Sequence, residues 1–294
     1  EDNYHVNLRR TLHDGINYIK CADVKEAIKG ADLIVCGISS FGVEWFADEI
    51  LPILDESIPL ISVTKGMLDY EDGTMQTYPE YWQEKLPEGS KLRLYAIGGP
   101  CTARDLSDHD PSFVAYCGPD FETLEWIRSL FSTDYYIISL TKDVVGLECA
   151  VALKNGYALG TALAIGIKEK LGDDGIDHNN MKSALFQESV KEMLELLRIV
   201  GGGVDNIMFA SAGRSRTVGL LLGKGYTIEE TLEQLQGQTL EAVVIATRTA
   251  RAVKALAKAG KVSIDDFPLL MHVDGLLNEH ATLNIPWKKF ERHM

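Results

Sequence analysis

The chain has 294 residues, with 29 Lys or Arg against 43 Asp or Glu, so its formal net charge at pH 7 is −14. This length allows one large domain or two ordinary ones. The acidic balance argues against nucleic-acid binders, which need a basic face to displace counterions, and against docking on anionic membranes. Because 46% of the residues are hydrophobic, the chain can bury a sizeable core, which excludes wholesale disorder.

We expect neither a secretory signal nor a membrane span. No basic-then-apolar pattern opens the chain, and no uninterrupted apolar run reaches the roughly 18 residues that a span needs. The nearest run, 144–167, contains Glu148, Lys154 and Asn155. The five cysteines are an odd number without a Cys-x-x-Cys pair, so we expect no disulfide framework or zinc site, but buried thiols in a cytoplasmic protein.

The first half alternates short apolar runs with helix-like segments, which predicts an α/β domain with an at least partly parallel sheet. Continuous apolar runs are typical of strands covered on both faces. Strands are expected at 33–38, 59–63, 92–97, 112–117 and 135–139, and helices near 23–30, 42–54, 74–86 and 120–132.

The second half is expected to be all-helical, because strand signals stop after Thr141. Residues 144–170 predict one long helix that is apolar on every side and therefore buried. Further helices are expected near 178–200, 215–223, 227–235, 240–259 and 264–278. We therefore predict two domains, 1–140 and 141–294, with a cleft between them.

Lys154 and Asn155 stand in the middle of the long apolar helix. A charged amine there is unfavourable unless it is paired or faces a cleft, where it can take part in proton transfer. The pattern therefore predicts a catalytic lysine. It also suits a lysine that reaches the surface or pairs with Glu148.

Three further segments have the composition of ligand-binding loops. Thr64-Lys65-Gly66 and Gly98-Gly-Pro-Cys-Thr-Ala103 both follow predicted strands, whose carboxyl ends bind ligands in α/β sheets. Gly213-Arg-Ser-Arg216 opens a predicted helix, where arginine and free backbone N–H groups suit a phosphate or carboxylate. Taken singly, the first two also suit ordinary turns, and the third suits a solvated basic loop.

The motif with which a dinucleotide-binding domain opens, Gly-x-Gly-x-x-Gly, does not occur in the 294 residues. Gly223-Lys-Gly225 lies between predicted helices rather than after a strand, and does not qualify.

Several separated motifs occur in one order: Thr-Lys-Gly, Gly-Pro-Cys-x-Ala, Ala152-Leu-Lys-Asn155, Asp205 and Gly-Arg-Ser-Arg. In this order and at this spacing they resemble the NAD-dependent sn-glycerol-3-phosphate dehydrogenase family over essentially the whole chain. Ala-Leu-Lys-Asn is the most specific element and is intact, and the segment 261–270 also resembles the family's carboxyl end. The resemblance implies a Rossmann-like NAD-binding domain followed by an all-helical substrate domain.

Members of the family begin with a strand, a glycine loop and a second strand. By the resemblance, the chain is expected to start after these elements, so its Rossmann-like domain is expected to be incomplete at its start. That segment was removed, lies outside the sequence, or was lost in a degenerate member.

The resemblance also implies a role for each site residue. Lys154 is expected to be the general acid/base at the substrate's secondary hydroxyl, Lys65 a second catalytic amine at the reacting oxygen, and Asp205 a residue that orients the substrate or Lys154. Substrate contacts are expected from Lys65, Asn155, Asp205, Arg214 and Ser215, with Arg214 on the phosphate. Cofactor contacts are expected from Ser39, Phe41, Lys65, Ala103, Arg214 and Glu241.

The implied reaction is hydride transfer between NAD(H) and C2 of sn-glycerol 3-phosphate or dihydroxyacetone phosphate. Phe209 stands where the family has a threonine that helps to hold the phosphate, Ser215 where it has an asparagine, and Ala242 where it has a glycine. These departures bear on the substrate. The alternatives are a related dehydrogenase of the ketopantoate-reductase or hydroxyisobutyrate-dehydrogenase type, and an inactive relative that binds a phosphometabolite or a partner. A cytoplasmic homodimer with a small phosphorylated substrate, and with no nucleic-acid or membrane partner, is expected by analogy.

Overall fold

The computed structural model describes residues 3–172, 174, 176–203, 214–236 and 240–291, with the side chains of Arg214 and Ser215 outside the description. The chain divides into two compact units. The sheet unit comprises Glu1–Thr64 and Pro79–Val144, and the helical unit comprises Lys65–Tyr78 and Val145–Met294. Residues 65–78 therefore belong to the helical unit, although the boundary predicted near residue 140 assigned them to the first domain.

Strands and helices alternate through the sheet unit, whereas helices form most of the helical unit. The strands are β1 (Tyr4–His5), β2 (Arg10–Thr11), β3 (Ile34–Cys36), β4 (Leu60–Ser62), β5 (Met67–Asp69), β6 (Met75–Thr77), β7 (Leu94–Gly98), β8 (Ser112–Cys117) and β9 (Tyr136–Thr141). The helices are α1 (Val24–Ala27), α2 (Val43–Trp45), α3 (Tyr78–Lys85), α4 (Ala103–Ser107), α5 (Phe121–Phe131), α6 (Val144–Leu171), α7 (Asn179–Val200), α8 (Arg214–Lys224), α9 (Ile228–Gln234), α10 (Glu241–Lys258) and α11 (Pro268–Asn278).

The main sheet has the strand order β3-β4-β7-β8-β9. β3, β4 and β7 are parallel, with Ile34 opposite Leu60 and Leu60 opposite Leu94. β8 runs antiparallel to β7, and β9 runs parallel to β8. The predicted α/β sheet of partly parallel strands is therefore confirmed, and each of its predicted strands is present.

One face of this sheet is covered by α5. This helix begins after Asp120, whose side chain accepts a hydrogen bond from the backbone N–H of Thr123. On α5, Leu124 and Ile127 are fully buried in the same cluster as Ile61 of β4. Burying a side chain of this size stabilises a fold by about 1.5–3 kcal/mol.

Two helix predictions in the first half need correction. The helix predicted over 74–86 is wrong at its start, because Met75–Thr77 is a strand paired antiparallel with Met67–Asp69 and α3 begins only at Tyr78. The helix predicted over 42–54 is divided into α2, a π-helical turn over Phe46–Ile50 and a 3-10 turn over Leu51–Ile53.

The long helix α6 forms the centre of the helical unit and has buried residues on all sides, from Gly146 to Gly166. By length and composition, α6 is the one helix among the described residues that could cross a membrane. However, 83% of its most apolar window is buried inside the protein. The core helix of a globular domain has this character, so the prediction of a buried helix over 144–170 is confirmed.

Glycines allow the backbones of α6 and α8 to approach each other closely. A Cβ atom on Gly219 would lie 2.1 Å from the carbonyl oxygen of Leu159, and one on Gly223 would lie 2.3 Å from the carbonyl oxygen of Leu163. Any side chain at these two positions would push the helices apart. The two glycines therefore fix α8 against α6.

The carboxyl group of Glu192, on α7, caps the start of α11. It accepts hydrogen bonds from the backbone N–H groups of Leu269 at 2.6 Å and Leu270 at 2.9 Å, and from the hydroxyl of Tyr157 at 3.0 Å. Burial raises the pKa of Glu192 to about 8, while the three hydrogen bonds act in the opposite direction. Glu192 therefore ties α6, α7 and α11 together and satisfies two N–H groups at a helix start.

All five cysteines are free thiols. Cys36, Cys117 and Cys149 are buried, as expected from the sequence. Cys101 is only half-buried and Cys21 is exposed, so the expectation of buried thiols is wrong for these two.

Candidate functional site

Lys154 lies in the buried part of α6, with 7% of its surface exposed. Its neighbour Asn155 is half-buried. This low exposure excludes the interpretation in which Lys154 reaches the surface. The side chain is therefore largely shielded from water, as suits a proton-transfer group.

Lys65 is half-buried and precedes a turn that requires glycine. Gly66 has a φ of +146°, and a Cβ atom there would lie 2.4 Å from the hydroxyl oxygen of Tyr78. Both the backbone conformation and the close approach exclude a side chain. This requirement explains the glycine of Thr-Lys-Gly, which lets the chain pass over Tyr78 directly after Lys65.

The β5–β6 hairpin that follows Lys65 is attached to two helices of the helical unit. The thiol of Cys149 on α6 lies 3.3 Å from Sδ of Met67. The backbone carbonyl of Met67 accepts a hydrogen bond from Arg248 of α10 at 2.7 Å. The first residue of the hairpin, two positions after Lys65, is thereby fixed between α6 and α10.

A buried carboxylate adds a second attachment of the hairpin to α10. Asp69, whose side chain is 5% exposed, accepts two hydrogen bonds from the guanidinium of Arg251, one of them at 2.7 Å. Nε of Arg248 lies 3.6 Å from the same carboxylate. We call Asp69, Arg248 and Arg251 the arginine clamp. The sequence does not single out these residues, and the spacing of the two arginines by one helical turn is its only signal.

Glu148, which precedes Cys149 on α6, is a buried carboxyl that the motifs do not single out. It is 1% exposed, and its Oε2 has no hydrogen-bond partner among the residues that the structure describes. Burial raises the pKa of Glu148 to about 8, and the charge of Lys65 acts in the opposite direction. The charge of Lys65 therefore acts on a carboxyl whose pKa is raised toward the neutral range.

We expect the variant Glu148→Gln to gain stability over the wild type as the pH rises. The folded-state pKa of about 8 lies above the ordinary value of 4.5, so between these values the folded chain holds a proton that the unfolded chain releases. The contribution of Glu148 to stability is therefore complete below the lower value and is lost as the pH rises through the upper one. Glutamine does not titrate.

Thermal unfolding at a series of pH values between 5 and 9 tests this. The difference in Tm between the variant and the wild type should grow by roughly 2 °C or more per pH unit and level off above a pH of about 8. A difference that stays constant over this range would contradict the raised pKa of Glu148.

Arg214, Ser215 and Arg216 are the first residues of α8, so the prediction that this motif opens a helix is confirmed. The start of a helix offers free N–H groups and the positive end of the helix dipole to an anion. The side chains of Arg214 and Ser215 lie outside the described residues, as do Asp205 and Phe209.

Three predicted cofactor contacts lie at one edge of the sheet unit, where the parallel strands β3, β4 and β7 end. The hydroxyl of Thr64, after β4, donates a hydrogen bond to the carbonyl of Ile38, after β3, at 2.9 Å. Ser39 and Phe41 come next along the chain and are exposed, Phe41 by 70%. Ala103, also exposed, begins α4 beyond β7. An exposed ring and small residues at the carboxyl ends of parallel strands suit part of a dinucleotide.

The fit covers only part of the dinucleotide. The glycine loop that cradles a pyrophosphate is not among the 294 residues. Glu241, another predicted cofactor contact, lies in the first turn of α10 in the helical unit, half-buried. An acidic residue at this place stabilises the helix dipole whether or not a cofactor is bound.

Family models match most of the chain. The model described as the NAD-dependent glycerol-3-phosphate dehydrogenase N-terminus matches residues 8–121, and the model of the C-terminus matches residues 143–287. The chain belongs to this family. The two matches decide against the ketopantoate-reductase type of enzyme, and the family's description names NAD, the cofactor expected from the sequence.

Relatives of known activity agree with this family. The chain is 28% identical over 263 residues to the NADP(+)-dependent glycerol-3-phosphate dehydrogenase of Archaeoglobus fulgidus, covering 86% of this chain and 76% of that protein. It is 28% identical over 263 residues to the glycerol-3-phosphate dehydrogenase [NAD(P)+] of Bacillus pumilus, covering 85% and 72%. The solved glycerol-3-phosphate dehydrogenase from Coxiella burnetii has a TM-score of 0.72 at 22% identity, over 91% of this chain and 78% of that one. This likeness confirms the fold, a Rossmann-like domain followed by a helical one.

The predicted site residues of this family member fall into two sets. In the helical unit, the charge of Lys65 acts on Glu148 of α6, the helix that also carries Lys154 and Asn155. The sheet unit presents Ser39, Phe41 and Ala103 at the edge described above. Glu241 belongs to the helical unit and not to that edge.

Proposed function

We propose that the protein interconverts sn-glycerol 3-phosphate and dihydroxyacetone phosphate. NAD(H), when bound, accepts or supplies the hydride at C2. The family match supports the reaction class, and the names of the two relatives supply the substrate. The observation that carries the proposal is the burial of Lys154 on α6, in an intact Ala-Leu-Lys-Asn element.

Lys154 exchanges a proton with the secondary hydroxyl of the substrate. When C2 is oxidised to a carbonyl, the hydroxyl proton must pass to a base, and in the reverse direction the same oxygen takes a proton from an acid. A lysine that is 7% exposed can do this without competition from bulk water. Asn155, the next residue of the helix, contributes a contact to the substrate.

Lys65 supplies a second amine at the reacting oxygen. Its positive charge stabilises the negative charge that develops on the carbonyl oxygen during reduction. Such stabilisation requires a fixed position, because an amine that must reorganise during the reaction contributes less. The attachment of the β5–β6 hairpin to α6 and α10 provides that position.

Arg214 and Ser215, at the start of α8, bind the phosphate of the substrate. Arginine offers parallel N–H donors to phosphate oxygens, and the helix start adds backbone N–H groups and dipole. Asp205 orients the substrate beside them. Together with Lys65 and Lys154, Arg214 provides positive charge for a dianion in a chain whose net charge is −14.

The cofactor contacts come from Ser39, Phe41, Lys65, Ala103, Arg214 and Glu241. The names of the relatives include both NAD and NADP, so the activity is tested with both cofactors. We propose NAD(H) as the cofactor of this chain and a cytoplasmic homodimer as its working form.

The direct test measures loss of NADH absorbance by the protein with dihydroxyacetone phosphate. Dihydroxyacetone serves as the substrate without phosphate, and NADPH replaces NADH in a parallel series. We expect turnover with the phosphorylated ketone and little with dihydroxyacetone. Calorimetric binding of the phosphorylated ketone without any turnover would instead identify an inactive relative. Equal turnover of both ketones would refute a phosphorylated substrate.

We expect Arg214→Ala to raise KM for dihydroxyacetone phosphate by about 10-fold or more, because a charge-assisted contact to the phosphate is lost. With NADH saturating, so that a lost contact of Arg214 with the cofactor does not limit the rate, turnover of dihydroxyacetone should stay as it was. Arg216→Ala is the matched control, since Arg216 is an exposed arginine in the same turn of α8. Equal effects of the two substitutions on KM would show that α8 contributes only general positive charge.

A further inference from the structure

Glu148 is a carboxylic acid at a buried position, where such a group is unfavourable. It lies near the start of α6 with 1% of its surface exposed, and among the described residues its Oε2 has no hydrogen-bond partner. A carboxyl group in apolar surroundings with an unused acceptor is unfavourable for stability. Residues that lower stability at a site are expected to serve the function of that site.

The surrounding contacts place the segment that follows Lys65 beside the turn of α6 that carries this carboxyl. Cys149, the residue after Glu148, lies 3.3 Å from the sulfur of Met67, and Met67 is two residues after Lys65. The start of the hairpin is thus pinned against the turn of α6 that carries Glu148. Among the described residues, Lys65 is the charged group that acts on Glu148.

Another buried carboxyl of the helical unit shows what a purely structural role looks like. Glu192 is as deeply buried as Glu148, but it accepts hydrogen bonds from Leu269, Leu270 and Tyr157. Those bonds explain its presence as a cap of α11. Oε2 of Glu148 has no such donor within the described part of the chain.

We propose that Glu148 is a positioning residue for Lys65, drawing its amine toward α6 and so setting where that amine meets the reacting oxygen of the substrate. Protonated or ionised, the carboxyl offers the ammonium group of Lys65 an acceptor oxygen. The inference rests on the proposed function, because it needs Lys65 to act on the substrate. It adds a residue that acts through Lys65 and not on the substrate itself.

The test compares Glu148→Leu, which keeps the volume but removes the acceptor, with Glu148→Gln, which keeps an acceptor oxygen. We expect the leucine variant to lose about 10-fold in kcat with KM changed by less than about threefold, because a displaced catalytic group weakens the transition state more than the bound substrate. Its Tm should equal or exceed that of the wild type, and glutamine should restore most of the turnover. Unchanged kcat in a folded leucine variant would overturn the proposal.

A double-mutant cycle with Lys65→Met separates action through Lys65 from any other cause. Single-turnover oxidation of NADH by concentrated enzyme measures the slow variants. If Glu148 acts through Lys65, Glu148→Leu should change the rate by less than about twofold once Lys65 is absent. A loss of the same size in both backgrounds would show that Glu148 acts elsewhere. If the Glu148→Leu variant does not fold, the same cycle is measured with Glu148→Gln. The smaller loss of rate caused by this substitution should also disappear when Lys65 is absent.

Glu192→Gln is the matched control for removing a buried carboxyl. It should lower Tm, since one acceptor of the α11 cap is lost, and leave kcat as it is. If it lowered kcat as much as Glu148→Leu, the effect would be general to buried acids and the proposal would fail. A wild-type protein without activity on dihydroxyacetone phosphate would refute the proposed function instead, before any variant is compared.

Discussion

Lys154→Met is expected to lower kcat for the reduction of dihydroxyacetone phosphate by at least about 10²-fold. Methionine keeps much of the length and apolar character of the buried stem but has no amine. Because the proton is transferred only in the transition state, the loss should fall on kcat, with KM little changed. Steady-state kinetics with NADH, combined with a Tm measurement to confirm folding, provide the test.

Lys168→Met is the control for this substitution. Lys168 lies on the same helix, but it is exposed and paired with Asp177 at 3.5 Å. Exposed ion pairs contribute little to stability, so this variant should retain the Tm and kcat of the wild type. A folded Lys154→Met variant with kcat within about threefold of the wild type would remove Lys154 from the acid/base role.

The main sheet and the helices of the second half could be predicted from the sequence because their signals are local. A strand covered on both faces gives a continuous apolar run, as at Leu60–Ser62 and Ser112–Cys117. The helix over Val144–Leu171 is long enough for its uniform apolar character to show. Such patterns depend on the segment itself and not on its partners.

The β5–β6 hairpin could not be predicted in this way. Its strands, Met67–Asp69 and Met75–Thr77, are too short to show alternation, and the second of them runs directly into a helix. The dipeptide Asp72-Gly73 is typical of a hairpin turn. The turn is closed by a hydrogen bond of 3.0 Å from the backbone N–H of Tyr70 to the carbonyl of Thr74. That dipeptide alone does not say that the hairpin belongs with the second half of the chain.

Site residues that belong to one short motif could be predicted from the sequence. Residues that come together from distant positions in the chain could not. Lys154 and Asn155 belong to one short element, so the sequence points to them directly. The clamp joins Asp69 to Arg251 across 182 positions, and no local pattern connects them. Glu148 was considered only as a partner of Lys154, because the nearness of Lys65 depends on the packing of the hairpin.

Asp69→Asn should lower both the stability of the protein and its turnover. The change removes the negative charge from the arginine clamp and leaves the half-buried Arg248 beside a neutral group. Breaking a fully buried ion pair costs about 3–5 kcal/mol, and the exposure of Arg251 reduces the expected loss to about 2–3 kcal/mol. For a domain of this size that loss lowers Tm by roughly 5 °C or more.

The loss of turnover follows from the position of Lys65, which lies four residues before Asp69. A hairpin held less firmly lets the amine of Lys65 move, and a displacement of about 1 Å can lower a rate up to 10²-fold. Glu195→Gln makes the same chemical change in an exposed pair, where Arg198 donates to Glu195 at 3.1 Å, and it should alter neither Tm nor kcat. A fall in Tm without a fall in kcat would show that the clamp stabilises the hairpin but does not place Lys65. If Asp69→Asn behaved like Glu195→Gln in both measurements, the clamp would have no part in either.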